Sequence, residues 1–216
     1  METEQALIGP MSDLSQQLRL VVARERGVAP EHLQWIGTEP DLFELFYREH
    51  VKDLQRFVAR RVGQRDRAAD LTGEIFLAAI ESAHRYRPDR GTPKAWLYGI
   101  ARNVVADDQR RHGREREHAE RLRGSELLDG HDAARIDARI DAASRSRQLY
   151  TAMERLPEGE RAVLELVALD DLTLAEAAAA AGVRPVTARV RLHRARRKLR
   201  DVLEASKEAS AREEAG

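Results

Sequence analysis

The chain has no cysteine, which excludes disulfides, thiolate zinc sites and thiol-based redox sensing. No stretch approaches the roughly 20 apolar residues that a membrane-spanning helix needs. The opening METEQALIGPMSDL lacks the basic segment and apolar core of a secretory leader, so a cytoplasmic protein without membrane insertion is expected. Runs of alternating β-branched and aromatic residues are missing as well, whereas Ala, Leu, Arg and Glu abound, which predicts an all-α fold. Net charge is absent too, with 37 Lys and Arg against 37 Asp and Glu. A uniformly basic chain would grip any polyanion; here the charge is sorted along the sequence instead. No nucleophile–base set, phosphate loop or metal cluster stands out, so no enzyme activity, cofactor or small-molecule ligand is expected. The neighbouring Asp107 and Asp108 lack a convergent third ligand and do not make a metal site.

What the chain does have is concentrated between Thr173 and Leu199, TLAEAAAAAGVRPVTARVRLHRARRKL. This reads as a short helix, a tight turn and a second helix. In that second helix Ala188, Leu192, Ala195 and Leu199 step by four, three and four and form one stripe. The opposite face carries Arg189, Val190, His193, Arg194 and Arg197. A helix with one packed face and one cationic face, preceded by a turn, suits a DNA major groove. Acidic residues follow at Asp201, Glu204, Glu208, Glu213 and Glu214.

A length of 216 residues fits one large or two small domains. From Asp41 to Arg111 the chain is rich in aromatics: Phe43, Phe46, Tyr47, Phe57, Phe76, Tyr86, Trp96 and Tyr98. They predict a core of bulky side chains, with Trp96 inside it. Residues 112–146 hold mixed charge and no aromatic and read as a polar linker, helical in parts but burying little. Residues 147–205 form a second small domain around Leu149, Met153, Leu156, Val163, Leu164, Leu166, Val167, Leu174 and Leu192. Residues 206–216 read as a disordered tail.

Within the first domain, Asp41 is the expected N-cap of a helix, with Glu44 completing a capping box, and Gly63 ends the run. Asp66 or Asp70 opens a second helix that stops before Pro88. Residues 87–92 form a loop, after which Thr92 caps and Pro93 starts a third helix with an inner stripe of Trp96, Leu97, Ile100 and Val104. Residues 1–40 form an N-terminal extension, probed only by a stripe of Leu14, Leu18, Val21 and Val22 ended by Gly27, and by a second helix from Pro30 through Trp35. Packing on the first domain, service to a regulator and simple stabilisation are all open roles for it.

Three stretches then carry a resemblance: AADLTGEIFLAAI (68–80), KAWLYGIARNVVADDQRR (94–111) and LPEGERAVLELVALDDLTLAEAAAAAGVRPVTARVRLHRARRKL (156–199). In order, separation and total length, the chain resembles a bacterial RNA polymerase sigma factor of the extracytoplasmic-function (ECF) branch, over Asp41 to Leu203. The resemblance implies a region 2-like helical bundle and a region 4-like helix-turn-helix. It implies core RNA polymerase and promoter DNA, duplex and single-stranded, as partners, and adds an anti-sigma factor as a candidate.

Carried onto this sequence, the resemblance assigns Asp70, Leu71, Glu74 and Phe76 to core polymerase, while the helical pattern puts Leu71, Ile75 and Phe76 largely in the core. It places Tyr86, Asp89, Arg90, Lys94, Tyr98, Asn103, Asp107, Arg110 and Arg111 at the minus-ten element, where the loop 86–92 would receive a flipped base. Asn103 offers a donor and an acceptor to a base edge, and Arg110 and Arg111 suit phosphates. Arg184, Thr187, Arg189, Val190, His193, Arg194 and Arg197 are assigned to the minus-thirty-five duplex, where arginine reads guanine and Val190 offers apolar contact, as to a thymine methyl. Arg191, Arg196, Arg197 and Lys198 are read as touching phosphates or solvent.

Two departures from the family pattern stand out. Gly73 lies inside a helix, at a cost of about 1 kcal/mol against alanine. Ala177 and Ala181 occupy positions where relatives carry larger side chains, and Arg184 is a poor helix cap, which predicts a marginal second domain. Two other functions compete with the sigma-factor reading. One is a helix-turn-helix repressor or activator, which explains only the last fifty or so residues. The other is a sigma-like decoy that binds polymerase without initiating.

Overall fold

In the computed structural model the described backbone covers residues 27–123 and 149–214, with side chains described over 27–114 and 149–205. Among these residues every regular element is a helix. The chain divides into two compact units, Met1–Gln109 and Arg110–Gly216.

The first unit is built from α1 (Pro40–Val62), α2 (Arg65–Ser82) and the start of α3 (Pro93–Arg123). In α1 the buried Leu42, Phe46, His50, Leu54, Phe57 and Val58 recur at helical spacing, giving the inward stripe that such a period imposes. The expected Asp41 cap does not form. The N-cap is Glu39, without a side-chain cap bond, and Pro40 stands in the first turn, because the preset φ of proline suits that position. Asp41 is then a first-turn acid near the positive helix end, and Glu44 pairs with Arg48 instead. Gly63 does end α1, at φ +75°, a conformation that costs glycine little.

Aromatic rings fill the space between the helices. Phe57 meets Tyr98 edge-on with centroids 5.1 Å apart. Phe46 lies 6.3 Å from Phe76 and 6.5 Å from Trp96. The inner stripe of α3 differs from the expected one: Ala95, Leu97, Tyr98, Ala101 and Val105 are buried, while Trp96, Ile100 and Val104 are half-buried at its margin. α2 begins at Arg65, before either expected cap, and after Ser82 it tightens into a 3-10 turn, Ala83–Arg85.

The segment Pro30–Trp35, expected as an α-helix, is a 3-10 helix. Val28, Leu33 and Ile36 are buried, so this piece of the N-terminal extension belongs to the core of the first unit. Gly37 permits the close approach: a Cβ there would lie 2.9 Å from the Ile80 carbonyl oxygen. The stripe expected over Leu14–Val22 lies outside the described residues.

His50 is buried with its ring 4.6 Å from that of Phe46. Burial lowers its pKa; Glu49 and Asp53 oppose that shift and Lys94 adds to it. The folded state therefore keeps the imidazole neutral where the unfolded chain would already take a proton. Its contribution to stability is complete above the ordinary histidine value near pH 6.5 and is lost as pH falls through the lowered folded value. Thermal unfolding of the full chain should fall more steeply from pH 7.5 to 5 than that of His50→Gln; parallel curves would refute this assignment.

The second unit contains α4 (149–154), α5 (Glu158–Ala168), α6 (Leu174–Ala180) and α7 (Pro185–Glu214). Met153, Leu156, Val163, Leu164, Ala178, Ala188, Leu192, Ala195 and Leu199 close one core. Thr173 and Glu176 form a reciprocal capping box at the start of α6, a T-x-x-E signature that is readable in the sequence. α6 ends in a Schellman arrangement: Val183 N–H donates to the Ala178 carbonyl at 2.9 Å and Gly182 N–H to the Ala179 carbonyl at 3.0 Å. Gly182 supplies the positive φ of +66°, the left-handed residue of that motif. Thr173→Ala should cost about 1 kcal/mol and speed amide exchange in α6. That exchange is already expected to be faster than in α1, because alanines bury little area; equal protection in both helices would contradict a thin second core.

Two helices continue into the segments read as linker and tail. α3 runs through the first part of the expected linker to Arg123, and α7 runs through most of the expected disordered tail to Glu214. The first continuation is rich in Arg and Glu and the second in Glu and Ala, residues that favour helix wherever Pro is absent.

Candidate nucleic-acid interface

Three faces hold the residues singled out by sequence. On α2, Asp70 and Glu74 are exposed and lie one turn apart. Leu71 and Phe76 are not available as an apolar rim: both are buried, and Phe76 is enclosed by Phe43, Phe46 and Tyr47. The exposed apolar residue on this face is Leu77, 61% accessible, which the sequence reading missed. Its signal was its position, three residues after Glu74 and seven after Asp70. Gly73 lies on the same exposed face, and a Cβ added there meets nothing within 4 Å. Gly73→Ala should therefore raise the stability of the first unit by about 0.5–1 kcal/mol, measured by denaturant unfolding.

The second face is the loop before α3 and the outer side of that helix. Tyr86 is buried, and its hydroxyl donates to the Gly91 carbonyl at 2.8 Å. Its pKa is raised by burial and, second, by the charge of Glu31. Tyr86 thus closes the loop from inside, packed on Trp96 with centroids 5.6 Å apart. Asp89 and Arg90 stand exposed on a 3-10 turn, Pro88–Arg90. Thr92 caps α3 as expected, accepting from Ala95 N–H at 3.2 Å.

Along α3, Asn103, Asp107, Arg110 and Arg111 are exposed, and their spacing of four, three and one keeps them on one side. Tyr98, expected among them, is 1% exposed and faces Phe57; it is a core residue. Lys94 is half-buried with its ammonium 5.8 Å from the Tyr98 ring. Asp108 is buried and bonded to Arg67, with Arg67 Nε 3.2 Å from its second oxygen. That pair fastens the start of α2 to the middle of α3. Gln109 adds a bond from its amide to the Arg61 carbonyl at 3.2 Å.

The third face is the outer side of α7. Arg184, Arg189, Val190, His193, Arg194 and Arg197 are exposed and Thr187 is half-buried. Two cations of the helix are turned away from this face. Lys198 donates to Glu160 at 2.9 Å, and the Arg191 guanidinium covers Gly159, where a Cβ would come within 3.0 Å of it. Both take part in the packing of α7 on α5, and the Lys198 side chain stays 42% accessible to solvent. Val186, 69% exposed, is a second residue that the sequence reading missed. Among the described residues no group of three His, Cys, Asp or Glu side chains gathers to hold a metal, and no helix is long and apolar enough to cross a membrane.

A chain whose described regular elements are all helices, whose second unit is a capped helix-turn-helix with a cationic outer face, and whose first unit carries a polar face on a long helix, defines a helical DNA-binding transcription protein. Comparison with known proteins narrows this. Residues 46–115 match the Sigma-70 region 2 model and residues 146–199 the Sigma-70 region 4 model. ECF RNA polymerase sigma factor SigD of Mycobacterium tuberculosis is 39% identical over 158 residues, covering 70% of this chain and 72% of the relative. RNA polymerase sigma factor CarQ of Myxococcus xanthus is 33% identical over 172 residues, covering 76% and 90%. ECF sigma factor SigE of Mycolicibacterium smegmatis is 32% identical over 166 residues, but the chain spans only 59% of its length. The chain belongs to the ECF RNA polymerase sigma factors of the sigma-70 family. Its fold is shared with CnrH, solved in complex with the cytosolic domain of CnrY, at TM-score 0.55 and 22% identity over 87% of this chain and 97% of that one. It is shared also with sigma factor RpoE of Bartonella quintana, solved with the anti-sigma factor NepR, at TM-score 0.51 and 22% identity over 74% and 96%.

Proposed function

We propose that this protein binds core RNA polymerase, carries it to promoters with distinct minus-ten and minus-thirty-five elements, and assists strand opening without being an enzyme itself. The observation that carries this reading is the coincidence of two exposed polar helix faces, on α3 and α7, with the two sigma-region matches. Asp70 and Glu74, with Leu77 beside them, offer two carboxylates and an apolar contact to a basic helix of the polymerase. Asn103 reads an unstacked base edge while Arg110 and Arg111 hold the backbone; Asp89 and Arg90 border the loop that would receive a flipped base. Tyr86 and Tyr98 support this surface from within. On α7, Arg189 and Arg194 read bases in the major groove, and Arg184 and Arg197 take phosphates.

Because the two units share one chain and one polymerase, engagement of either raises the effective concentration of the other at its site. The working compartment is the cytoplasm, at the nucleoid when polymerase is bound. An anti-sigma factor is a further proposed partner, as the RpoE relative was solved with one.

The test is transcription from a library of promoter fragments by core polymerase with and without the full chain. New initiation at a shared pair of elements supports the reading. Binding to DNA without association with polymerase would replace it with a conventional repressor or activator, and polymerase binding without initiation would make the chain a decoy.

A further inference from the structure

The outer face of α7 carries two side chains that packing does not explain. Val186 is 69% exposed and Val190 43% exposed, although valine is a poorer helix former than alanine, leucine or arginine. Four residues apart, they form one ridge, separated by about 6 Å along the helix axis. That is less than two base-pair steps of 3.4 Å. Val186 sits in the first turn after Pro185, at the helix end that a helix-turn-helix presents to base edges. Exposed Arg184, Arg189, His193 and Arg194 flank the ridge. Among the described residues none of Arg184, Arg189 and Arg194 is engaged in an ion pair, so these guanidinium groups are available to the DNA.

The chemistry of a base pair narrows what such a ridge selects. In the major groove the apolar feature of a base edge is the C5 methyl of thymine; the other groups are donors and acceptors. Valine in a helix is held almost entirely in one χ1 rotamer, so its methyls are presented in a fixed direction with little side-chain entropy left to lose.

We propose that Val186 and Val190 form a two-methyl reader that selects thymine at two positions no more than three base pairs apart in the minus-thirty-five duplex. The inference rests on the assignment of α7 to that duplex. The neighbouring arginines hold register and read guanine, and the valines discriminate thymine from cytosine, whose edge offers an amino donor and no methyl.

The experiment uses the full chain bound to core polymerase. Upstream sequences are selected from a randomised promoter library, and each thymine of the selected duplex is then replaced singly by uracil, which deletes only the C5 methyl. Two thymines within the stated window should each lose about four-fold in binding on that replacement. Val186→Ala should abolish the penalty at one of them and Val190→Ala at the other. Thermal unfolding should not fall in either variant, since neither valine is buried and alanine is the better helix former. Uracil tolerated at every position, with guanines still selected, would overturn the proposal. So would methyl penalties that persist in both variants, because they would then arise from other residues or from the DNA. A holoenzyme that selects no upstream sequence would overturn the assignment of α7 itself, and the reader with it.

Discussion

Replacing Tyr98 with alanine should unfold the first unit rather than blunt a contact to DNA. Tyr98 is the bulkiest of the fully buried side chains among the described residues, and its ring meets Phe57 edge-on at 5.1 Å. Truncating a buried aromatic to alanine removes its transfer energy and leaves a cavity, together about 3–5 kcal/mol. Loss of the ring pair is included in that figure. In a domain of this size each kcal/mol moves the melting point by about 4–8 °C, so a drop on the order of 12–40 °C, up to outright unfolding, is expected by circular dichroism. Asn103→Ala, on the exposed side of the same helix, should leave the melt unchanged and lower only promoter opening. If Tyr98→Ala melted like the parent and lost only DNA binding, the assignment of Tyr98 to the core would be wrong.

Asp108→Ala should be comparably damaging, for an electrostatic reason. The Arg67–Asp108 pair is largely withdrawn from water, with Asp108 itself buried. Removing one partner of such a pair takes away the counter-charge that offsets burial of the other, at about 3–5 kcal/mol. The damage should spread along both helices. The pair ties the start of α2, which carries Asp70 and Glu74, to the part of α3 that carries Asp107, Arg110 and Arg111. Polymerase association and promoter opening should therefore fall together with thermal stability. Asp107→Ala offers the contrast: its side chain is exposed, and the melt should hardly move. Equal melts for the two variants would remove the structural role given to Asp108.

The neighbours Asp107 and Asp108 also mark how far the sequence could be read. Side by side they look alike, and only the partner at Arg67, distant in sequence, separates a buried anchor from an exposed carboxylate. Leu71 and Leu77 divide in the same way on α2, one in the core and one outside. The Asp41 cap was misplaced for a local reason, because the preference of Pro40 for the first turn outweighed the capping box. The capping box at Thr173 was equally local and was there to be read.

The helical class, the two units, the tight turn before α7 and the buried stripe of α7 from Ala188 to Leu199 could all be read from the chain. These rest on local terms: propensity, capping, the left-handed glycine and the 3.6-residue period. α7 was legible because it is apolar on one side and arginine on the other. The tertiary structure alone decided which sides of α2 and α3 reach solvent. α3 packs on α1 through Phe57 and Tyr98 and is tied to α2 through Arg67 and Asp108, so much of its circumference is occupied. A period sets the angles between residues on a helix, but not the rotation of the helix against its neighbours. That rotation is chosen by the packing of the aromatic rings and by the buried ion pair. It turns Tyr98 inward and leaves Asn103 and Arg110 facing out.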